Sequence, residues 1–345
     1  MKIHSELEGA LFEKLGGQPT GAGLQQGRVW YDTTDDKVKY YDGDEILEFN
    51  TSGAGGDSSI NCVWAAGQSA SVTYEDTMDY IEAATVSNAS DWNDLNTGRR
   101  AAPGACAGET KGLVAGGYDG SAMNEIEVID IATKSAGVNH GVLSFSSYST
   151  SSAGNSARWI TAGGSSSTSM DYGTYTVSGG STFDTLTQGR EELASCANTT
   201  YALHGGGAAG GNRNEISRST ISTTSSEADT GDLTVARQAL RAAAYGTNAL
   251  FCGGNTGSYS DVTDRLNPNT GGNAADWEDL RPGGMMYCSG CSSTTKAFFG
   301  SGQNSSSVKQ SFIDYFEYSA AAESLSWGDL TVARTATCAF ANLAS

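Results

Sequence analysis

VWAAG at 63–67, LVAGG at 113–117, ITAGG at 160–164, ALHGG at 202–206, LFCGG at 250–254 and FFGSG at 298–302 decide how this 345-residue chain reads. Each is an apolar run ending in glycine, and the final glycines lie 50, 47, 42, 48 and 48 residues apart. Self-similarity at such a period marks a repeat architecture. The glycines that carry it are Gly67, the doublets Gly116 and Gly117, Gly163 and Gly164, Gly205 and Gly206, Gly253 and Gly254, and Gly302.

Two further markers keep register with the glycines. An aromatic stands three residues before a leucine at Trp92/Leu95, Phe183/Leu186, Trp277/Leu280 and Trp327/Leu330. Four residues past the leucine comes an arginine, as Arg99, Arg190, Arg237 and Arg334, whereas Ser147 and Gly284 fill that slot in the second and fifth copies. Between the markers, IEVIDI from Ile126 and FIDYFEY from Phe312 alternate with the period of two expected of strands. Each repeat therefore reads as four short strands. Such a unit cannot bury both faces alone, so neighbours must stack radially. The aromatics would fill the wedges between blades. The small-residue segments after the arginines would be innermost strands.

The glycine doublet, the spaced aromatic and the downstream arginine together resemble the kelch repeat, over residues 61–345. Ala66 and Ser301 replace the first glycine of the doublet in two copies, and the tyrosine usual after it stands only at Tyr118. The expected fold is all-β, a six-bladed kelch-like β-propeller. The last copy ends with a small-residue strand that the first copy lacks, so the C-terminus should pair into the first blade and close the ring.

Residues 1–50 read as a separate docking segment. Ser5 and Glu8 form a capping box, Leu7, Ala10, Leu11 and Leu15 share one helical face, and Gly16 and Gly17 supply a stop, which predicts a short helix. Two alternating runs, with Val29 and Tyr31 in one and Val38 and Tyr40 in the other, predict a β-hairpin that includes Trp30. Residues 51–60 read as a Gly/Ser linker. The run GRVWYDTTDDKVKYYDG from Gly27 resembles a stretch found near the start of tailed-bacteriophage fibre and other virion appendage proteins. That resemblance implies a virion structural protein, made in the host cytoplasm. It would dock on other virion proteins through residues 1–50, with Leu7, Leu11, Leu15, Trp30, Tyr31 and Tyr40 at the contact. It would sit on the particle as a homo-oligomer and present the propeller to a host surface protein or glycan. The rival readings are an intracellular kelch adaptor and a propeller enzyme acting on surface polysaccharide.

Composition and charge limit the chemistry. A formal net charge of -19 repels phosphate backbones, so nucleic acid is not an expected partner. No apolar run is long enough to span a bilayer and the N-terminus lacks a signal-peptide core, so neither membrane insertion nor processing is expected. Seven cysteines, an odd number spread through the repeats, read as free buried thiols. Cys288 and Cys291 have half of a zinc spacing with no second pair, and read as structural. His4, His140 and His204 are scattered; His140 and His204 read as packing substitutes. The acids at Asp32, Asp35, Asp36, Asp42 and Asp44 read as solvated turns without a calcium-loop pattern. The sequons at Asn50, Asn88, Asn198 and Asn304 reflect composition and no glycosylation is expected. No catalytic residue, cofactor or metal is expected, and the chain reads as non-enzymatic.

Overall fold

The computed structural model describes residues 13–15, 19, 28–32, 37–41, 46–48, 57, 60–101, 104–224, 227–281 and 283–342. The chain divides into two compact units, Met1–Gly55 and Gly56–Ser345.

The larger unit is a six-bladed β-propeller. Its innermost strands are Cys338–Ala341, Gly104–Ala107, Ser151–Gly154, Ala194–Ala197, Arg241–Tyr245 and Ser289–Ser292. Each packs against the next and the last against the first, which closes a ring around a central channel. Every blade is a four-stranded antiparallel sheet, ordered from the channel outward along the chain. The first blade alone is assembled from both ends of the unit: Cys338–Ala341 pairs with Asn61–Ala65, Cys338 opposite Ala65 and Ala341 opposite Cys62. The C-terminal strand thus closes the ring, as its small-residue composition implied. Closure also covers the edge of Asn61–Ala65 that would otherwise invite pairing with another chain, and leaves the inner edges short and sheltered in the channel.

Alternation sends successive side chains of each second strand into opposite wedges. Trp64 packs toward the sixth blade with Phe298, Ile313 and Trp327, while Val63 and Ala65 pack toward the second with Trp92, Val114 and Phe340. Burying such side chains contributes roughly 2–3 kcal/mol each. Glycine makes room for the largest of them: a Cβ at Gly205 would lie 2.5 Å from Phe251 of the next blade, and one at Gly300 would lie 2.8 Å from Trp64.

That packing role corrects the repeat alignment in the fourth copy. Gly205 belongs to the strand Tyr201–Gly205, and the turn is made by Gly206 and Gly207, with φ of 62° and 96°. These match Gly116 and Gly117 (70° and 109°) and Gly253 and Gly254 (66° and 106°). Three consecutive glycines left the register ambiguous by one residue. Where the doublet is broken, Ala66 and Ser301 still adopt φ of 61° and 62°. The turn geometry is therefore imposed by the blade, at a local cost to those residues. The fifth copy is corrected too. Gly254 N donates to Met285 O at 2.7 Å, as Gly67 N does to Arg99 O at 2.8 Å, so Met285 and not Gly284 occupies the arginine slot.

Where the chain enters the propeller, Asp57 is buried and binds Thr294, Thr295 and Lys296 of the sixth blade, with Lys296 Nζ at 3.0 Å. Residues 51–56, 58 and 59 of the expected linker lie outside the described residues.

In the smaller unit, Val29–Asp32 and Lys37–Tyr41 pair antiparallel, and Ile46–Glu48 adds to the second of these. The expected helix differs where it can be followed. Glu13–Leu15 is a strand, paired in parallel with Val29–Asp32, so Leu15 belongs to a sheet. A short helix has little stability of its own, and strand pairing overrides its propensity. Leu7 and Leu11 lie outside the described residues, as do the acids at 35, 36, 42 and 44. Trp30 is fully buried and Tyr40 is half-buried.

Candidate binding mouth of the channel

The four repeat arginines Arg99, Arg190, Arg237 and Arg334 are fully buried in the junctions between blades. Each joins two blades. Its backbone carbonyl accepts from the glycine turn behind it, and its guanidinium reaches the blade ahead. Arg334 donates to Asp79 Oδ2 at 2.6 Å and to Thr77 O at 2.7 Å, Arg237 pairs with Asp264 at 2.9 Å, and Arg99 pairs with Glu127. Those acids sit on third strands at a register shift against the fourth strand, a bulge that turns the side chain toward the junction. A polar residue directly after the repeat leucine supplies a second donor to the acid, as Thr331 does to Asp79 and Asn96 N to Glu127.

The remaining junctions vary this scheme. At the junction entering the sixth blade, Arg281 of the fifth, directly after Leu280, binds Asp314 of the sixth in place of the missing slot arginine. In the fourth blade Ser217 holds the acid's position and accepts from Arg190 at 2.6 Å. The acid comes from Glu227, whose Oε2 accepts from Thr187 N at 3.0 Å. Burial raises the Glu227 carboxyl to a pKa of about 7. His204 of the same blade is fully buried, and burial, helped by the Arg190 charge, takes its pKa down to about 3.

Two residues past each arginine slot the chain forms a girdle around one end of the channel. Ala101, Ser149, Glu192, Ala239, Tyr287 and Ala336 all have left-handed φ, between 55° and 66°. Ser149 N donates to Ala101 O, Glu192 N to Ser149 O, Ala239 N to Glu192 O, Tyr287 N to Ala239 O and Ala336 N to Tyr287 O, over 2.8–3.3 Å. None of the six is glycine, so each pays a local conformational cost of about 1 kcal/mol. Strain concentrated in one ring marks that end as the candidate site.

The mouth above the girdle encloses about 470 Å³. One side is an aromatic row. The Tyr74 and Tyr118 rings lie 6.1 Å apart, those of Tyr118 and Tyr148 6.0 Å apart, and the Arg100 guanidinium sits 5.6 Å from both Tyr74 and Tyr118. Arg100 also donates to Gln68 Oε1 at 3.2 Å. Across the opening, Tyr287 donates its hydroxyl proton to Glu192 Oε1 at 2.7 Å. Burial raises the pKa of the Glu192 carboxyl, against the pull of the Tyr287 hydrogen bond and of Arg241. Rings, amides and a few charges converging on a rigid concavity are suited to binding a polar ligand.

Other sequence candidates fall elsewhere. Trp92, Phe183 and Trp327 are buried in wedges between blades, and Trp277 packs half-buried against one. Cys288 and Cys291 point into different wedges, where Cys291 interacts with Cys62 across the junction of the sixth and first blades. Among the described residues no cluster of three or more His, Cys, Asp or Glu is arranged to hold a metal ion. His140 Nε2 lies 3.1 Å from Thr174 O. Asn198 is buried and bonds Gly246 O and Asn269 Oδ1. Sequence reading did not find the girdle or the acids, because the girdle positions share a conformation and no side-chain type. The tyrosines come from three different loops. No protein-family model matches the chain, and no curated protein matches it.

Proposed function

We propose that this chain is a non-enzymatic virion protein of a tailed bacteriophage. In this reading residues 1–50 dock on the particle, and a kelch-type propeller presents its mouth to a glycan on the host surface. The observation that carries the proposal is the GRVWYDTT stretch from Gly27 joined to a propeller. The tyrosine row supports the ligand class: Tyr118 and Tyr148 line the mouth and offer aromatic surface to a sugar, Tyr74 packs beside Tyr118, and Gln68, Arg100 and Gln303 offer hydrogen-bonding groups at the rim. Single contacts of this kind are weak. Several copies on one particle would raise the effective affinity without any new contact.

Immunogold labelling of purified virions with antibody raised against the isolated chain tests the location. Regular labelling is expected, and virions carrying no shared antigen would overturn the proposal. Adsorption of the labelled propeller to host cells, with Tyr118→Ala as the comparison, tests the mouth. Equal adsorption of both proteins would remove it as the contact.

A further inference from the structure

We propose that the waist of the channel, just past the girdle, binds a small monovalent anion of halide or formate size. A cavity of about 30 Å³ there is lined by Ser151, Ser152, Ser195, Arg241 and Ser289, contributed by the innermost strands of four blades. It adjoins a second space of about 70 Å³ further along the channel. A site needs roughly 10–15 Å³ to admit one water, so the waist takes a single small species and excludes a sugar.

Arg241 carries the argument. Arg241 is 9% exposed, yet among the described residues its guanidinium makes a single hydrogen bond, from Nη1 to the carbonyl of its own neighbour Leu240 at 2.6 Å. The other buried arginines at blade junctions meet a carboxylate or a set of acceptors; Arg241 has no carboxylate within ion-pair distance among the described residues. Glu192 attracts it from beyond that distance; its Oε1 accepts from Tyr287, and its Oε2 is buried without a partner among the described residues, so the nearest carboxylate does not close on the guanidinium. A cation held away from water is costly unless a counter-charge reaches it. Among the described residues, the channel cavity lined by Arg241 is where such a counter-charge can reach it.

The hydroxyls are placed to help. Ser151, half-buried at the start of the innermost strand Ser151–Gly154, lines the cavity. Ser195 Oγ lies 2.7 Å from His204 Nδ1, while His204 Nε2 is buried without a partner among the described residues. An orphaned buried N–H is rarer than an orphaned acceptor, which puts the ring proton on Nδ1. Nδ1–H then donates to Ser195 Oγ, and the serine's own proton is left to point into the channel. A guanidinium and hydroxyl donors around one small cavity form an anion site.

The test compares the whole protein in sodium chloride and in sodium gluconate at equal concentration, gluconate being too large for the waist. In roughly 0.2 M salt the melting temperature should be about 3 °C higher in chloride, and Arg241→Met should lose that difference. Formate reproducing the chloride effect admits a carboxylate to the site and formate failing restricts it to halides; both uphold an anion site. Equal melting in chloride and gluconate, or a chloride effect retained by Arg241→Met, would overturn it. Should Arg241→Met not fold, crystals of the unaltered protein in sodium bromide decide the matter. An anomalous peak within hydrogen-bond reach of the Arg241 guanidinium is expected, and bromide absent from the waist would refute the proposal.

Discussion

The junction that closes the ring and the junction entering the third blade hold the same buried acid in different company. At closure, Asp79 is met by Arg334 and Thr331, with both members of the ion pair fully buried. In the third blade Asp171 is equally buried, and among the described residues no arginine pairs with it. Ser144 serves it through its backbone N–H at 2.5 Å and its hydroxyl at 2.7 Å, while Ser147 fills the arginine slot and bonds Gly163 O. The bulge and its acid recur, and the positive partner is interchangeable. A buried pair contributes little net stability, because desolvation offsets the attraction. Breaking one half is another matter, since it strands a charge.

That contrast predicts the largest effect at closure. Arg334→Ala should destabilise the propeller by about 3–5 kcal/mol in urea unfolding, because Asp79 is left buried and unpaired. Burial already raises the Asp79 pKa against the pull of Arg334, so the loss should be smaller at pH 4, where the stranded acid can protonate. The double variant Asp79→Asn with Arg334→Met should recover most of the stability. A double variant as unstable as Arg334→Ala would show that the arginine acts mainly through its carbonyl contacts and not through the pair.

The fourth blade gives the next effect. Glu227 has a folded pKa of about 7 against an ordinary 4.5, so its contribution is full below pH 4.5 and is lost as pH rises through 7. His204, near 3 in the fold against an ordinary 6.5, acts oppositely, with its contribution lost as pH falls below 6.5. Between pH 4.5 and 6.5 the two slopes oppose each other. Glu227→Gln should therefore be more stable than the unaltered protein at pH 8 by about 2–3 kcal/mol and nearly equal to it at pH 4.5. Parallel stability curves for the two proteins across this range would contradict the assignment.

Smaller effects separate the junctions further. Ser147→Ala removes one hydrogen-bonding hydroxyl and strands no charge, so it should cost about 1 kcal/mol, well below Arg334→Ala. A loss as large as that at closure would mean that the serine junction is the weaker seam. Ala66→Gly should stabilise by about 0.5 kcal/mol, since relief of the left-handed φ slightly exceeds the added freedom of the unfolded chain. A lower melting temperature for this variant would show that the methyl group's burial outweighs its strain.

The propeller was far more legible in the sequence than the mouth. Period-2 strands, glycine turns and wedge aromatics are properties of one blade, so each repeat states them again. The acids were hidden because their meaning lies one blade away: Asp79 and Arg334 are 255 residues apart. The girdle was hidden because Ala, Ser, Glu and Tyr reach one φ by constraint from both neighbours. The slip of one residue at Gly207 had the same origin, since which glycine of three turns is decided by the fit of Phe251 against Gly205.

By itself the amino-acid sequence determined the unit, its four strands, the count of six and the strand that closes the ring, because local sterics and alternation suffice for these. Only the tertiary structure decided which acid answers each arginine, that Leu15 joins a sheet, and that tyrosines from three loops share one opening. Those outcomes depend on surfaces that exist only once neighbouring elements have packed, and no local pattern records them.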